Sequence, residues 1–146
     1  MPTHPNILED DTRIGELVRS TKRVAVLGIR SEAYADRPAF YVAKYIQDRG
    51  AEVVPVPVHE PDATTILGEK VVRRLADVEG SVDIVDVFRR PNDIPPHVAD
   101  LKALKPRAVW FQLGIVNDEA ARELAEAGIL VVQDRCLKVE WSRHRQ

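Results

Sequence analysis

The sequence predicts an α/β fold with a doubly wound, mainly parallel sheet of about five strands and helices on both faces. Short apolar segments alternate with amphipathic ones along the chain, as in proteins built from β-α repeats. The apolar segments are rich in aliphatic residues, which is typical of strands buried on both faces. The chain has 146 residues, of which 45% are hydrophobic, so one domain with a substantial core is expected.

The N-terminal residues 1–10 are expected to form a flexible arm, because they are polar and contain Pro2 and Pro5. The remaining residues, 11–146, are expected to form a single domain. A helix is predicted from Asp11, because three apolar residues follow at positions i, i+3 and i+4, on one helical face: Ile14, Leu17 and Val18.

Five apolar segments are predicted to be the long strands of the sheet: Arg23–Leu27, Glu52–Val58, Val82–Phe88, Ala108–Leu113 and Ile129–Val132. A short edge strand is predicted over Lys70–Val72. Pro55 and Pro57 indicate that pairing stops near the end of the second strand. Asp83 and Asp86 favour a charged partner or water beside the third strand.

Helices are predicted between these strands. Gly50 ends one over Ala39–Arg49, and prolines in the first turn suit another over residues 92–104. Asn117 is the predicted N-cap of the next helix, which ends at Gly128. A short helix and a charged tail are expected after Asp134.

Composition and charge exclude several classes of protein. The formal net charge of −2 argues against nucleic acid as a partner, since such proteins usually carry a basic face. A single cysteine, Cys136, cannot form an internal disulfide and suits a reducing compartment. The N-terminus does not resemble a signal peptide, and no apolar segment approaches the roughly 18 residues of a membrane span. A soluble, cytoplasmic protein is therefore expected.

Ligands of open parallel sheets bind beyond the carboxyl ends of the strands. The first such end is Gly28–Ser31, where one glycine precedes Arg30, Ser31 and then Arg37. Backbone N–H groups entering a helix favour anions, and the arginines add positive charge. The alternative is an ordinary strand-to-helix turn with solvated arginines.

The third strand ends at Arg89 and Arg90, whose guanidinium groups match phosphate oxygens in geometry. The alternative is a salt bridge to an acid such as Asp93 or Asp86. The second strand end, with Pro57, is apolar and suits a base-binding pocket. Glu60 lies beyond it, so the carboxylate that NAD-binding folds use for the ribose is not well placed.

The fourth strand end, Gln112–Gly114, offers an amide and a glycine, which suit either a ligand contact or a tight turn. The four histidines show no metal-ligand spacing, so no metal site is expected. Ser31 and Cys136 are the nearest nucleophiles, and neither has a base that the sequence places beside it. The sequence predicts a binding site without an identifiable catalytic set.

Several blocks, in this order, make the chain similar to a known family: "VAVLG" followed by "RP", "VVPVPV", "VDIVDVFRRP", "VWFQLGIVNDEAA", "AGILVV" and "DRC". They extend from about Lys22 to about Glu140. The chain resembles the small stand-alone CoA-binding proteins, which are similar to the Rossmann-like CoA-binding domain of the succinyl-CoA synthetase alpha subunit.

The resemblance implies a single Rossmann-like domain that holds coenzyme A. It assigns the phosphates to the turn Gly28, Ile29, Arg30 and Ser31, assisted by Arg37. Pro57 and Val58 would flank the adenine and ribose, and Phe88, Arg89 and Arg90 would form the next wall. Gln112 and Gly114 would lie along the pantetheine arm. Family members commonly form small oligomers, and the sequence neither shows nor excludes a homo-oligomer.

The function expected from the residues and the resemblance together is binding of coenzyme A or an acyl-CoA, without catalysis. The synthetases carry their phosphorylated histidine in another domain, so the resemblance does not imply ligase activity. Two other functions stay open: an NAD(P)-binding redox protein, and a degenerate domain that serves protein interaction.

Overall fold

The computed structural model describes residues 4–145, which form alternating strands and helices. The helices are α1 (Asp11–Ser20), α2 (Pro38–Asp48), α3 (Val98–Leu104), α4 (Asp118–Glu126) and α5 (Leu137–His144). The strands are β1 (Arg23–Leu27), β2 (Glu52–Val56), β3 (Thr65–Ile66), β4 (Glu69–Lys70), β5 (Ile84–Val87), β6 (Ala108–Phe111) and β7 (Leu130–Val132).

Five strands form one parallel sheet in the order β2-β1-β5-β6-β7. The chain passes from β1 to β2 on one side and then crosses to β5 on the other side. The strand order therefore reverses between β1 and β5, at the centre of the sheet. This confirms the predicted Rossmann-like α/β fold, and β1, β6 and β7 lie close to their predicted positions.

Alternate residues of the strands fill two separate cores, one on each face of the sheet. On one face, Ala25 and Leu27 of β1 pack in a cluster that includes Leu101 of α3 and Leu124 of α4. On the opposite face, Val24 and Val26 pack in a cluster with residues of α1, α2 and α5, among them Leu17, Ile46 and Trp141. Helices cover both faces, as the near-continuous apolar strands predict.

The segment before α1 differs from the predicted flexible arm. Ile7 and Leu8 are buried, and Ile7 forms a parallel bridge with Val131 of β7. The Leu8 N–H donates to the Val131 carbonyl (2.8 Å), and the Val131 N–H donates to the Asn6 carbonyl (2.8 Å). The prediction is wrong for residues 6–8, which extend the sheet beyond β7. Residues 1–3, and Gln146 at the end of the predicted domain, lie outside the described residues.

Prolines account for two other differences. The predicted helix 92–104 begins as two short 3-10 turns, Pro91–Asp93 and Pro95–His97, and becomes α-helical only at Val98. Strand β2 stops at Val56, before Pro57.

The predicted edge strand over Lys70–Val72 is instead the end of a small antiparallel hairpin, β3-β4. The hairpin is followed by Val72, whose N–H donates to the carbonyl of Pro55 on β2 (2.9 Å).

Helix α4 begins as predicted, because the Asn117 side chain accepts a hydrogen bond from the N–H of Ala120 (3.0 Å). Within residues 4–145, no helix has the length and apolar character needed to cross a membrane.

Candidate ligand-binding site

Two adjoining cavities open at the carboxyl edge of the sheet, around the point where the strand order reverses. The central cavity, of about 450 Å³, is lined by eight of the predicted site residues: Gly28, Arg30, Arg37, Phe88, Arg89, Arg90, Gln112 and Gly114. The lateral cavity, of about 520 Å³, is lined by Pro57 and Val58. Consecutive residues line the two cavities at Leu27–Gly28 and at Val58–His59, so one extended ligand could occupy both.

Gly28 is required by the backbone of the neighbouring strand. Its φ is +86°, and a Cβ atom at this position would lie 2.4 Å from the carbonyl oxygen of Phe88. The Gly28 N–H donates to the Val56 carbonyl (2.8 Å), and the Phe88 N–H donates to the Leu27 carbonyl (2.9 Å). This glycine therefore lets β1, β2 and β5 stay paired to the edge of the central cavity.

The turn after Gly28 already holds an anionic group from the protein itself. The Glu60 carboxylate accepts hydrogen bonds from the Ser31 N–H (3.0 Å), the Ser31 hydroxyl and the Arg30 Nε (3.2 Å). Burial alone would raise the pKa of Glu60, but these hydrogen bonds outweigh it and hold the pKa below its ordinary value. Glu60 has a φ of +60°, so the loop adopts a left-handed conformation at this residue.

These contacts change the roles expected of three predicted residues. The positive charge of Arg30 is paired with Glu60, although its side chain also borders the central cavity and stacks on the Tyr34 ring (3.8 Å to the centroid). Ser31 hydrogen-bonds Glu60 and is not among the residues lining either cavity. The Ile29 side chain is fully buried in the core with Phe40 and Val42, so it faces away from both cavities.

The amino end of α2 offers a more accessible anion site than this turn. Pro38 and Ala39, in the first turn of α2, line the central cavity. The N-cap residue is Arg37, whose side chain makes no capping hydrogen bond. Within residues 4–145, Arg37 has no acidic partner at ion-pair distance; its guanidinium lies 4.9 Å from the Tyr34 ring centroid. The helix dipole and this exposed cation both attract negative charge to the cavity.

Arg89 and Arg90 share one acidic partner. The Arg90 Nε lies 3.2 Å from an Asp93 oxygen, and Arg89 Nη2 lies 4.0 Å from the same oxygen. Arg89 is largely buried, and its Nε has no hydrogen-bond partner among the described residues. The salt bridge to Asp93, which was the alternative to phosphate binding, is therefore present. Since one carboxylate faces two guanidinium groups, the pair keeps an excess positive charge.

Gln112 and Gly114 lie at the far wall of the central cavity and link β6 to the start of α5. The Gln112 Oε1 accepts from the Leu137 N–H (3.3 Å), at the first residue of α5. The Gly114 N–H donates to the Asp134 carboxylate (2.7 Å). Next to them, the Leu113 side chain is 66% exposed at the mouth of the cavity. This wall thus combines amide groups with an exposed apolar side chain.

The lateral cavity has an apolar floor, which includes Leu27 and Val56, and a rim of basic side chains: Arg73, Arg74 and His97. Burial lowers the pKa of His97, and the positive charge of Arg89 lowers it further, so His97 is neutral at pH 7. The predicted base-binding residues Pro57 and Val58 belong to this cavity rather than to the central one.

Sequence reasoning missed His59 and Leu113 in the central cavity, and Arg73, Arg74 and His97 in the lateral cavity. His59 and Leu113 both lie within strand ends where a ligand was expected, Val56–His59 and Gln112–Gly114, but neither was named as a site residue. Arg73 and Arg74 directly follow the short edge strand predicted over Lys70–Val72, which was not among the strand ends expected to bind a ligand.

A cluster that the sequence did not indicate lies between α1 and α5. Single ligand atoms of Asp11, Glu140 and His144 lie within 4.8 Å of one another, the spacing of a metal site. Arg143, however, pairs with both carboxylates, at 3.3 Å from Asp11 and 3.2 Å from Glu140. The hydrogen bond and charge of Arg143 lower the pKa of Asp11. The cluster is an ion-pair network that joins the two helices.

Comparison with known proteins identifies a family and a relative that match most of the chain. A family model described as a CoA binding domain matches residues 22–142. An uncharacterized protein, YneT, of Bacillus subtilis (strain 168) is 37% identical over 126 residues, which cover 86% of this chain and 90% of that protein.

Solved structures show the same fold over nearly the whole chain. The structure of cell-free ID.343 from Thermus thermophilus superposes with a TM-score of 0.85 at 39% identity, covering 93% of this chain and 99% of that one. A hypothetical protein from Pyrococcus horikoshii OT3 superposes with a TM-score of 0.84 at 28% identity, covering 100% and 99%.

Proposed function

Because the chain belongs to the CoA binding domain family, we propose that it binds coenzyme A or an acyl-CoA at the carboxyl edge of its sheet. The ligand would lie across both cavities, with its pyrophosphate and pantetheine in the central cavity and its adenosine in the lateral cavity. The proposed role is binding without catalysis.

The observation that supports this proposal most strongly is the charge of the central cavity. Arg30 is neutralised by Glu60, and Asp93 neutralises one of Arg89 and Arg90. Arg37 and the other guanidinium are left without an acidic partner among residues 4–145. This excess of two positive charges, beside the amino end of α2, matches the two negative charges of a pyrophosphate diester.

The rest of the central cavity suits the pantetheine arm. Phe88 and Leu113 provide apolar surface, and Gln112 and Gly114, whose Oε1 and N–H are hydrogen-bonded within the protein, form the polar part of the same wall. An acyl group would extend from the thiol end toward the exposed Leu113. The charged groups would thus hold the pyrophosphate, and the neutral wall would contact the pantetheine arm.

The alternative ligand NAD(P) is less well supported by the geometry. In NAD-binding sheets, a carboxylate after the second strand accepts hydrogen bonds from the ribose hydroxyls. The corresponding acid here, Glu60, is held by Ser31 and Arg30. Its hydrogen bonds fix the loop after β2 to the turn after β1, and they leave it poorly placed for a ribose.

Calorimetric titration of the protein with CoA, acetyl-CoA and NAD tests the proposal. We expect saturable binding of CoA or acetyl-CoA and none of NAD, with the thioester recovered intact from the acetyl-CoA titration. Replacing Arg37 by Gln should weaken CoA binding about tenfold, the value of one charged hydrogen bond. Arg49→Gln, at the opposite end of α2, is the matched control and should leave the affinity unchanged.

Three outcomes would contradict the proposal in different ways. Saturable binding of NAD alone would identify a dinucleotide-binding protein. A folded chain that binds none of the three ligands would direct the search to protein partners. Hydrolysis or transfer of the acetyl group during titration would show catalysis.

A further inference from the structure

The lateral cavity contains more positive charge than an adenine base requires. Its floor and walls are apolar, formed by residues that include Val56, Pro57 and Pro61. Such a surface suits the faces of a purine ring. The rim, in contrast, places two arginines, Arg73 and Arg74, at the opening of the same cavity. Arginine at this position indicates a ligand with an anionic group next to the base.

Arg73 is held in place without being neutralised. Its guanidinium donates to the backbone carbonyls of Glu60 (3.3 Å), Pro61 (2.9 Å) and Ala63. Among residues 4–145, no carboxylate lies within ion-pair distance of it. These carbonyls use only part of the guanidinium's donor capacity, so the group keeps its full charge and can donate to a ligand.

Arg74 is only loosely paired. Its Nη2 lies 3.7 Å from a carboxylate oxygen of Asp100, and its side chain is 66% exposed. Asp100 is the one acidic residue among the described residues that line this cavity, and the neighbouring His97 is neutral at pH 7. Two arginines against one carboxylate give the lateral cavity a net charge of about +1, separate from the excess charge of the central cavity.

The chemistry of coenzyme A offers one group for this charge. Its ribose carries the adenine, the 5′-pyrophosphate and a 3′-phosphate. If the adenine occupies the lateral cavity and the pyrophosphate enters the central cavity, the 3′-phosphate is left beside the rim. We propose that Arg73 and Arg74 bind this 3′-phosphate, so that the protein distinguishes coenzyme A from 3′-dephospho-CoA. The inference rests on the proposed binding of coenzyme A.

The test compares the affinities of two ligands that differ only in that phosphate. Wild-type protein should bind CoA at least about tenfold more tightly than 3′-dephospho-CoA. In the double variant Arg73→Gln with Arg74→Gln, this ratio should fall to about threefold or less. Arg73 also holds the loop after β2, so its loss could weaken the binding of both ligands equally. The ratio of the two affinities cancels that effect.

Two further variants separate charge from loop structure. Arg74→Gln leaves the carbonyl contacts of Arg73 in place and should lower the ratio part of the way. Arg122→Gln removes an exposed arginine on α4. Arg122 forms an ion pair with Glu126 of the same helix. This control should preserve the wild-type ratio.

Equal binding of CoA and 3′-dephospho-CoA by the wild-type protein would overturn this inference while leaving CoA binding intact. A preference for CoA that survives in the double variant would place the 3′-phosphate away from Arg73 and Arg74, and would also overturn it. Absence of binding for both ligands would instead refute the proposed function on which the inference rests.

Discussion

Asp86 lies in the middle of the central strand β5, between Val26 of β1 and Trp110 of β6 in the sheet register. Its side chain is fully buried, and both carboxylate oxygens lack a hydrogen-bond partner among residues 4–145. Burial raises the pKa of this carboxyl well above its usual range. Among the described residues, no charged partner of the kind expected beside this strand contacts Asp86. Asp83, outside β5, accepts from the N–H groups of Lys22 and Arg23 (both 2.9 Å).

Replacing Asp86 by Asn should remove a pH dependence of stability. The folded protein keeps the Asp86 proton above pH 4, whereas the unfolded chain loses it there. The free energy of unfolding of the wild type should thus fall by up to about 1.4 kcal/mol per pH unit as pH rises from 4 toward the raised pKa. The stability of Asp86→Asn relative to wild type should rise over the same window. Urea unfolding at pH 5, 6 and 7 measures this difference, and a constant difference would contradict it.

Gly28 shows how a glycine can be required by the protein backbone rather than by a ligand. Its absent side chain leaves room for the Phe88 carbonyl at the point where β1 and β5 separate. A single glycine is compatible with the proposed anion site, which Arg37 and the amino end of α2 would form without a glycine-rich loop.

Gly28→Ala should destabilise the fold by about 3 kcal/mol or more, because left-handed backbone strain is added to the clash with Phe88. Gly128→Ala is the matched control. Gly128 has nearly the same φ, +88°, and an added Cβ would meet no atom within 4 Å, so only the strain of about 1–2 kcal/mol applies. Chemical denaturation compares the two variants. Equal losses of stability would show that the Phe88 carbonyl moves aside.

At the scale of elements, the segment before α1 acts as an additional edge of the sheet. Ile7 and Leu8 pack into different cores, one on each face, and their backbone pairs with β7. This alternation is the pattern of a strand, although the segment is short and proline precedes it. Two apolar residues among polar ones gave no periodic signal in the sequence.

Ile7→Ala should lower the free energy of unfolding by about 2–3 kcal/mol, as expected for truncating a buried isoleucine. Glu9→Ala, two residues further on and exposed, should change it by less than about 0.5 kcal/mol. Urea denaturation of both variants tests the assignment. If Ile7→Ala is as mild as Glu9→Ala, the segment contributes little to stability.

For the whole molecule, local charge matters more to an anionic ligand than net charge. The chain has a formal net charge of −2, yet both cavities have an excess of positive charge. The acidic residues that balance this charge lie elsewhere on the protein, and salt screens their fields over about 10 Å at 0.1 M. An overall acidic protein can thus still attract phosphates at one edge of its sheet.

The affinity for CoA should therefore decrease as salt increases, about tenfold or more between 50 and 500 mM NaCl. Pantetheine, which lacks the phosphates and the nucleotide, is the matched neutral ligand, and any binding of it should be insensitive to salt. Calorimetry or a competition assay at both salt concentrations provides the measurement. A CoA affinity that does not depend on salt would contradict the assignment of the arginines to phosphate binding.

Much of this architecture could be predicted from the sequence, because it depends on local patterns. Aliphatic runs located the main strands, and Asn117 capped α4 as expected. The strand ends also identified eight residues of the central cavity, since parallel strands bring their carboxyl ends to one edge. The burial of the Ile29 side chain in the core was not predicted, because a side chain's direction after a strand depends on the turn that follows.

Contacts between distant segments were decided only by the tertiary structure. Glu60 accepts a hydrogen bond from Ser31, 29 residues away along the chain. Because of this contact, Arg30 and Ser31 are no longer free to bind an anionic ligand. The sequence near Gly28 contains no sign of it. Arg73 reaches a cavity beside β2 because loop carbonyls hold it there, and Ile7 joins β7 across the chain. Periodicity and spacing describe neighbours along the chain, and they predict the elements and the edge where they meet. The partner of each charge depends on which loops fold together, and no local pattern contains that information.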